Sequence, residues 1–265
     1  MSKWIDFWDA FLAQPDAPEG PYLIEDDHEI TLHFEISSVQ SQMLKAHPNK
    51  LILDYTSTMM GFLLLQPKPK RIAMIGLGGG SLAKYCLQHL PEANFTAIEI
   101  NPAVIALRDK FMIPPDGLNF RVLCEDGADF VQNRAELFDV LLVDGFNHYG
   151  QAKQLCSKSF YSDCYAKLRS GGVMAVNLLH SDVGFGTYTA RIREAFDDQV
   201  VFVEAEEFGN NIAFAYKGKH FPLTSTISER AHDLSQAHTV ALPIIAQKVI
   251  KQLKQYTVSI GNCST

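Results

Sequence analysis

Between residues 71 and 216, short apolar runs alternate with longer runs that have helical periodicity. Predicted strands occupy residues 71–75, 94–100, 120–123, 138–143 and 172–178, and predicted helices occupy residues 81–90, 102–111, 128–133, 159–168 and 187–196. Strands that are apolar along their whole length are covered on both faces, and helices between successive strands provide that cover. The pattern therefore predicts a doubly wound α/β domain with a mostly parallel sheet.

The last two predicted strands differ from the others in how they are connected. Residues 200–203 and 212–216 are joined by a short turn that contains Gly209-Asn210-Asn211. Two strands joined so closely must run antiparallel. A seven-stranded, mostly parallel sheet with one reversed strand is the outline of the S-adenosylmethionine-dependent methyltransferase-like Rossmann fold, which is the fold class we predict.

The regions before and after this domain have other patterns. Residues 1–20 predict a short aromatic helix, and residues 22–53 alternate in a way that predicts short antiparallel strands. The prolines at 67 and 69 mark a boundary, and the tail predicts two helices around Pro243. We therefore expect an N-terminal helix with a small β subdomain in residues 1–66, a nucleoside-cofactor-binding α/β domain in 67–218 and a C-terminal helical extension in 219–265.

Composition excludes several classes of protein. The net charge of −7 argues against a nucleic-acid partner, since phosphate binding needs clustered Lys and Arg. There is no apolar run of the ~20 residues that a membrane helix requires, and the acidic N-terminal segment does not resemble a signal peptide. Five cysteines without a C-x-x-C pair, and a His28-Glu29 pair followed by His33 at the wrong spacing, argue against a metal site. A cytoplasmic protein without a resident metal or a membrane partner is expected.

The first predicted strand continues directly into a glycine-rich loop, which leads into a helix at Ser81. Its glycines are Gly76, Gly78, Gly79 and Gly80. Glycine allows a sharp turn and lets a ligand approach main-chain N–H groups at the start of a helix. A tight connection alone rarely needs four glycines in five positions. The loop therefore indicates a phosphate- or nucleoside-binding element.

Acidic residues end three successive strands at the same edge of the predicted sheet. Glu99-Ile100 ends the second strand, Asp126-Gly127 follows the third, and Asp144 follows the fourth. Ligands of such sheets bind at this carboxyl edge, and an acid at the position of Glu99 accepts hydrogen bonds from ribose hydroxyls. The spacing predicts a nucleoside site but does not separate a nicotinamide cofactor from an adenosylmethionine cofactor.

These motifs resemble the spermidine synthase family of aminopropyltransferases, from Ile75 through Asn177 and more broadly from residue 30 to 216. The resemblance implies that the glycine loop, Glu99, Asp126-Gly127 and Asp144 hold the nucleoside cofactor. It also implies pocket roles for Gln40 and Tyr55.

The chain departs from the family at two positions where acids carry the chemistry. Gly79 stands where the family has an aspartate that holds the ammonium group of decarboxylated S-adenosylmethionine. Asn147 stands where the family has the second catalytic aspartate, and a neutral amide is not a useful base. His148 is a candidate replacement, and Asp144 remains able to bind a cation or a cofactor hydroxyl.

The resemblance predicts a transferase that uses S-adenosylmethionine or its decarboxylated form and moves an aminopropyl group to a small amine. Two alternatives remain open: a small-molecule methyltransferase, and a non-catalytic protein that binds an adenosyl nucleoside. We also consider that two copies of the chain form a homodimer.

Overall fold

The computed structural model describes residues 20–35, 38–147, 150–206 and 209–262. The predicted aromatic helix of residues 1–20 lies almost wholly outside this range, and so does His148. The described strands are β1 (Tyr22–Glu25), β2 (Glu29–Glu35), β3 (Ser38–Leu44), β4 (Arg71–Ile75), β5 (Asn94–Glu99), β6 (Phe120–Cys124), β7 (Phe138–Val143), β8 (Phe146–Asn147), β9 (Gly150–Gln151), β10 (Leu168–Leu179), β11 (Val200–Glu204) and β12 (Asn210–Tyr216). The described α-helices are α1 (Asp54–Met59), α2 (Ser81–His89), α3 (Pro102–Ile105), α4 (Gly127–Asn133), α5 (Lys158–Lys167), α6 (Phe185–Ala195), α7 (Thr224–Leu234) and α8 (Leu242–Asn262).

The central sheet has seven strands in the order β11-β12-β10-β7-β4-β5-β6. Strands β4, β5, β6, β7 and β10 pair in parallel, whereas β12 pairs antiparallel with both β10 and β11. The reversed strand is therefore β12, one of the two joined by the short turn around Gly209. The predicted fold, a mostly parallel seven-stranded sheet of the methyltransferase-like type, is confirmed.

The sheet is buried on both faces because most residues of its strands are apolar. In β4, Ile72 and Met74 face one hydrophobic core, and Ala73 and Ile75 face the other. This alternation follows from the two-residue period of a strand. The strand therefore has no polar face, and its carboxyl end is the place where it can meet a ligand.

The helix predicted for residues 102–111 is much shorter in the structure. Helix α3 ends at Ile105, and the chain continues in turns to Met112, whose φ is 51°. These turns bring Phe111 and Ile113 into the core, where they are almost fully buried. A regular helix through residue 111 could not make this turn, so burial of these two side chains overrides the helical pattern.

The N-terminal sheet β1-β2-β3 is antiparallel, as the alternation in residues 22–53 predicts, although β3 ends at Leu44. Its residues Ile30, Leu32 and Met43 share one hydrophobic core with the central sheet. The helical segment that follows, α1 with a 3₁₀ helix at Met60–Leu64, packs on β10, β12 and α8. The division at residue 66 stays a prediction, and the helical segment of residues 54–64 packs with the central domain.

The two C-terminal helices pack back onto the domain. Helix α7 contacts α8 and the 3₁₀ helix, and α8 contacts β11. Arg230 fixes the contact by donating from Nη1 to the backbone oxygens of Leu64 and Leu65, at 2.9 and 3.0 Å. In the part of the chain that the structure describes, no helix is long and apolar enough to cross a membrane.

Candidate active site

The loop after β4 turns sharply and lies against the neighbouring strand. Gly76 and Gly78 have φ of 92° and 51°, values that L side chains rarely adopt. A Cβ at Gly76 would also collide with the backbone oxygen of Asp144, at the end of β7. Glycine is therefore required for the loop to reach the carboxyl ends of both strands and to begin α2 at Ser81.

A cavity of about 280 Å³ opens at this edge of the sheet. The carboxyl ends of β4, β5 and β7 line it, together with residues of the N-terminal sheet and of α1. Its lining residues are Leu32, Phe34, Gln40, Ser41, Tyr55, Thr56, Met74, Ile75, Gly76, Leu77, Gly78, Ser81, Leu82, Ile98, Glu99, Ile100, Gly127, Asp144, Gly145, Phe146, Asn147, Ala152, Gln154 and Leu155. The predicted site residues Gln40, Tyr55, Glu99 and Asp144 are thus brought together.

Glu99 is buried at the end of β5, and backbone donors fix both of its carboxylate oxygens. The Leu77 N–H donates to Oε2 and the Asn101 N–H donates to Oε1, each at 2.9 Å. Each oxygen retains a second lone pair for a ligand hydroxyl. The next residue, Ile100, is exposed and adds an apolar surface beside the carboxylate. This arrangement suits a ribose with its attached base.

Asp144 is held by donors on both oxygens. The Tyr55 hydroxyl donates to Oδ2 at 3.1 Å, and Asn177 Nδ2 donates to Oδ1 at 2.9 Å. Asn177 is fixed in turn by Asn210, whose Nδ2 donates to Asn177 Oδ1 at 2.8 Å. Both asparagines are buried, so the carboxylate has one defined orientation.

Burial and hydrogen bonding act in opposite directions on the pKa of Asp144. Desolvation raises the pKa of this carboxyl, and the hydrogen bonds from Asn177 and Tyr55 partly offset the rise. Burial, and then the Asp144 charge, raise the pKa of the Tyr55 hydroxyl, which therefore stays protonated as a donor. Asp144 is thus a carboxylate with more affinity for a proton than an exposed aspartate has.

Asp126 lies beside the cavity and not in its wall. Its Oδ1 accepts from the Ala128 N–H at 2.7 Å and caps helix α4, while its Oδ2 accepts from Gln154 Nε2 at 3.2 Å. Gly127 and Gln154 are the neighbours that line the cavity. The structure therefore places Asp126 behind a glutamine that the sequence motifs do not identify.

The remaining predicted site residues do not all line the cavity. Asn147 lines the cavity at the end of β8. Gly79 and Gly80 do not line it; a Cβ at Gly79 would meet Ser41 and Phe111, and a Cβ at Gly80 would meet Ile113.

Three residues of the site were missed by sequence reasoning: Ser41, Gln154 and Asn177. Asn177 leaves a recognisable signal, since it is a polar residue inside the apolar run of β10, and a buried polar side chain needs a partner. Ser41 follows Gln40 on β3 but is not marked by any motif. Gln154 is positioned by a 3₁₀ helix at Lys153–Cys156, which the sequence pattern does not reveal.

The fold and the site together define the class of protein with a methyltransferase-like sheet and an acid-lined cavity at its carboxyl edge. Comparison with known proteins specifies the class further. The spermine/spermidine synthase domain matches residues 53–182. A polyamine aminopropyltransferase of Neisseria meningitidis is 35% identical over 213 residues, which cover 78% of this chain and 80% of the relative. The chain therefore belongs to the spermine/spermidine synthase family.

Solved structures agree with this fold. A probable spermidine synthase from Corynebacterium glutamicum superposes with a TM-score of 0.67 at 18% identity, covering 89% of this chain and 95% of that one. A spermidine synthase in complex with the transition-state analogue AdoDATO has a TM-score of 0.60 at 21% identity, covering 80% of this chain and 78% of that one. The predicted family, transferase class and fold are confirmed.

Proposed function

We propose that the chain transfers the aminopropyl group of decarboxylated S-adenosylmethionine to a small amine. The charge of the cavity carries this proposal. Glu99 and Asp144 line it, and among its described lining residues there is no Lys, Arg or His. Such a wall favours a sulfonium compound with an ammonium tail and a cationic amine over an anionic ligand. The family relatives named polyamine aminopropyltransferase support the same reaction.

The described residues divide into a nucleoside half and a transfer half. Glu99 would accept from the ribose hydroxyls, and the backbone at Gly78 would lie beneath the nucleoside. Tyr55 and Asp144 would face the reacting centre. One fixed carboxylate, Glu99, would thus lie beside the nucleoside and another, Asp144, beside the reacting centre. Together they would keep the sulfonium and the amine in a defined orientation.

In the reaction, the amine nitrogen attacks the carbon that joins the aminopropyl group to the sulfonium sulfur. A C–N bond forms, the C–S bond breaks, and the sulfur keeps the electron pair as 5′-methylthioadenosine leaves. The new ammonium must then lose one proton. Asn147 cannot accept it, whereas the Asp144 carboxylate can, and its raised pKa favours this role. We therefore assign proton acceptance to Asp144.

The test is incubation of the purified protein with decarboxylated S-adenosylmethionine and a panel of diamines. Mass spectrometry should find a polyamine and 5′-methylthioadenosine in equal amounts. Asp144→Asn should lower turnover by about 10²–10⁴-fold, the usual worth of a general base. Asp197→Asn is the matched control, because Asp197 is exposed in the turn before β11, at the opposite edge of the sheet.

Other outcomes would favour the alternatives. Methylated products from S-adenosylmethionine, without polyamine, would support a methyltransferase. Binding of 5′-methylthioadenosine without any product would support a nucleoside-binding protein. The cytoplasmic location, the homodimer and the absence of a metal, nucleic-acid or membrane partner stay predictions.

A further inference from the structure

We propose that Ser41 determines specificity for the tail of the sulfonium substrate, by accepting a hydrogen bond from the ammonium group at its end. The inference rests on the proposed function and adds a residue that no sequence motif marks. Ser41 lies on β3 of the N-terminal sheet, lines the cavity and is only 6% exposed. It faces the glycine loop, since a Cβ at Gly78 would lie 3.8 Å from the Ser41 Cβ.

The Ser41 hydroxyl has no hydrogen-bond partner in the described part of the protein. Other polar groups of the wall are already engaged: the Thr56 hydroxyl donates to the backbone oxygen of Leu53, and the Gln154 amide donates to Asp126. The hydroxyl is not sealed inside the protein, because Ser41 lines the cavity, so it is open to a ligand that enters there. A ligand in the cavity is therefore its natural partner.

The geometry at Gly79 explains why a residue of another element is needed here. A Cβ at Gly79 would lie 2.5 Å from Ser41 Oγ and 2.7 Å from Phe111 Cδ1, so a side chain at residue 79 would require these two neighbours to shift. Phe111 is itself held in place, because the buried Lys84 Nζ donates to its backbone oxygen at 2.7 Å. Ser41 occupies the position that a longer side chain at residue 79 would take.

A hydroxyl at this position has a consequence for specificity. It accepts from an ammonium and donates to a carboxylate, so it does not repel the carboxylate of S-adenosylmethionine as an aspartate would. We therefore expect the wild type to discriminate only weakly between the decarboxylated substrate and S-adenosylmethionine. A carboxylate introduced at residue 41 should restore strong preference for the decarboxylated form.

The experiment measures dissociation constants by calorimetry for three ligands: decarboxylated S-adenosylmethionine, S-adenosylmethionine and 5′-methylthioadenosine, which lacks the tail. Ser41→Ala should weaken binding of the decarboxylated compound by about tenfold, while binding of 5′-methylthioadenosine changes by less than about twofold. Ser41→Asp should raise the preference for the decarboxylated compound over S-adenosylmethionine by about tenfold or more. Ser57→Ala, a serine on α1 outside the cavity, should change none of the three constants.

The outcomes separate this inference from the proposed function. If wild-type protein binds none of the three nucleosides, the proposed function itself fails. If Ser41→Ala weakens all three equally, or leaves the decarboxylated compound unaffected, Ser41 does not contact the tail and the inference is overturned. Because alanine is smaller than serine, this variant avoids steric conflict with the glycine loop.

Discussion

Replacing Asn177 with leucine removes the amide that donates to Asp144 while leaving a side chain of similar volume. Asn177 is 2% exposed, and its Nδ2 lies 2.9 Å from Asp144 Oδ1. The substitution also removes the acceptor of the Asn210 amide. The substitution therefore changes the pKa of Asp144 and, separately, the free energy of unfolding.

The effect on Asp144 has a definite sign. The hydrogen bond stabilises the ionised carboxylate and so lowers the pKa of Asp144. A hydrogen bond to a charged group contributes about 1.5–3 kcal/mol, which corresponds to a displacement of about one to two pH units. If ionised Asp144 accepts the proton, the acid limb of kcat/KM should move to higher pH by this amount. The loss of a partner for Asn210 should cost about 1–3 kcal/mol of stability.

The assay is a pH profile of kcat/KM for polyamine formation, with urea unfolding measured on the same samples. The amine substrate titrates identically with every variant, so a difference between profiles belongs to the protein. Tyr55→Phe, which removes the other donor to Asp144, should move the limb in the same direction. Asn119→Leu is the control, because the Asn119 amide donates to the backbone oxygen of Pro91 and neither residue lines the cavity.

The reasoning would be refuted if the pH profile of Asn177→Leu kept the wild-type acid limb while kcat/KM fell equally at every pH. Such a result would mean that Asn177 acts only through folding. A displaced limb in the Asn119 control would point to a general effect on stability instead.

Glu99→Gln is expected to weaken binding of 5′-methylthioadenosine by about tenfold in calorimetry, since the amide offers one acceptor oxygen where the carboxylate offers two. Asn147→Asp is expected to raise turnover with a diamine, measured by mass spectrometry, because a second carboxylate in the cavity wall would share proton acceptance with Asp144. Gly79→Asp is expected to lower the free energy of unfolding by about 1–3 kcal/mol in urea, since its Cβ would lie 2.5 Å from the Ser41 hydroxyl. Burial, with the nearby His89 charge, lowers the pKa of His238 to about 4 from the ordinary 6.5, so the unfolded chain binds this proton more tightly than the native one. Stability is therefore expected to fall by about 2–3 kcal/mol as pH drops from 6.5 towards 4, and the dependence should flatten in His238→Gln when urea midpoints are compared.

Each of these expectations has an opposing result. Unchanged nucleoside affinity in the Glu99 variant would remove the ribose role. No gain from Asn147→Asp would show that proton transfer does not limit turnover. If Gly79→Asp is as stable as the wild type, the side chains of Ser41 and Phe111 can move to make room for it. Equal acid sensitivity with and without His238 would assign the pH dependence to other groups.

The sequence contains most of the information about the fold and about the nucleoside half of the site. Apolar strands separated by helices specify a parallel sheet, and the short connection at Gly209 specifies the reversed strand. Because parallel strands end at one edge, the positions of Glu99 and Asp144 in the chain already predict that they lie near each other. These features depend on local periodicity and on general rules of chain connection.

Only the tertiary structure decides which neighbours surround these groups. Asp126 and Asp144 look alike as acids at strand ends, yet one caps a helix behind Gln154 and the other lines the cavity with two fixed donors. The approach of Ser41 to Gly79 joins the N-terminal sheet to the loop after β4, and no periodic pattern relates such positions. Contacts of this kind are set by how the packed cores bring distant segments together, because each side chain must fit the space its neighbours leave.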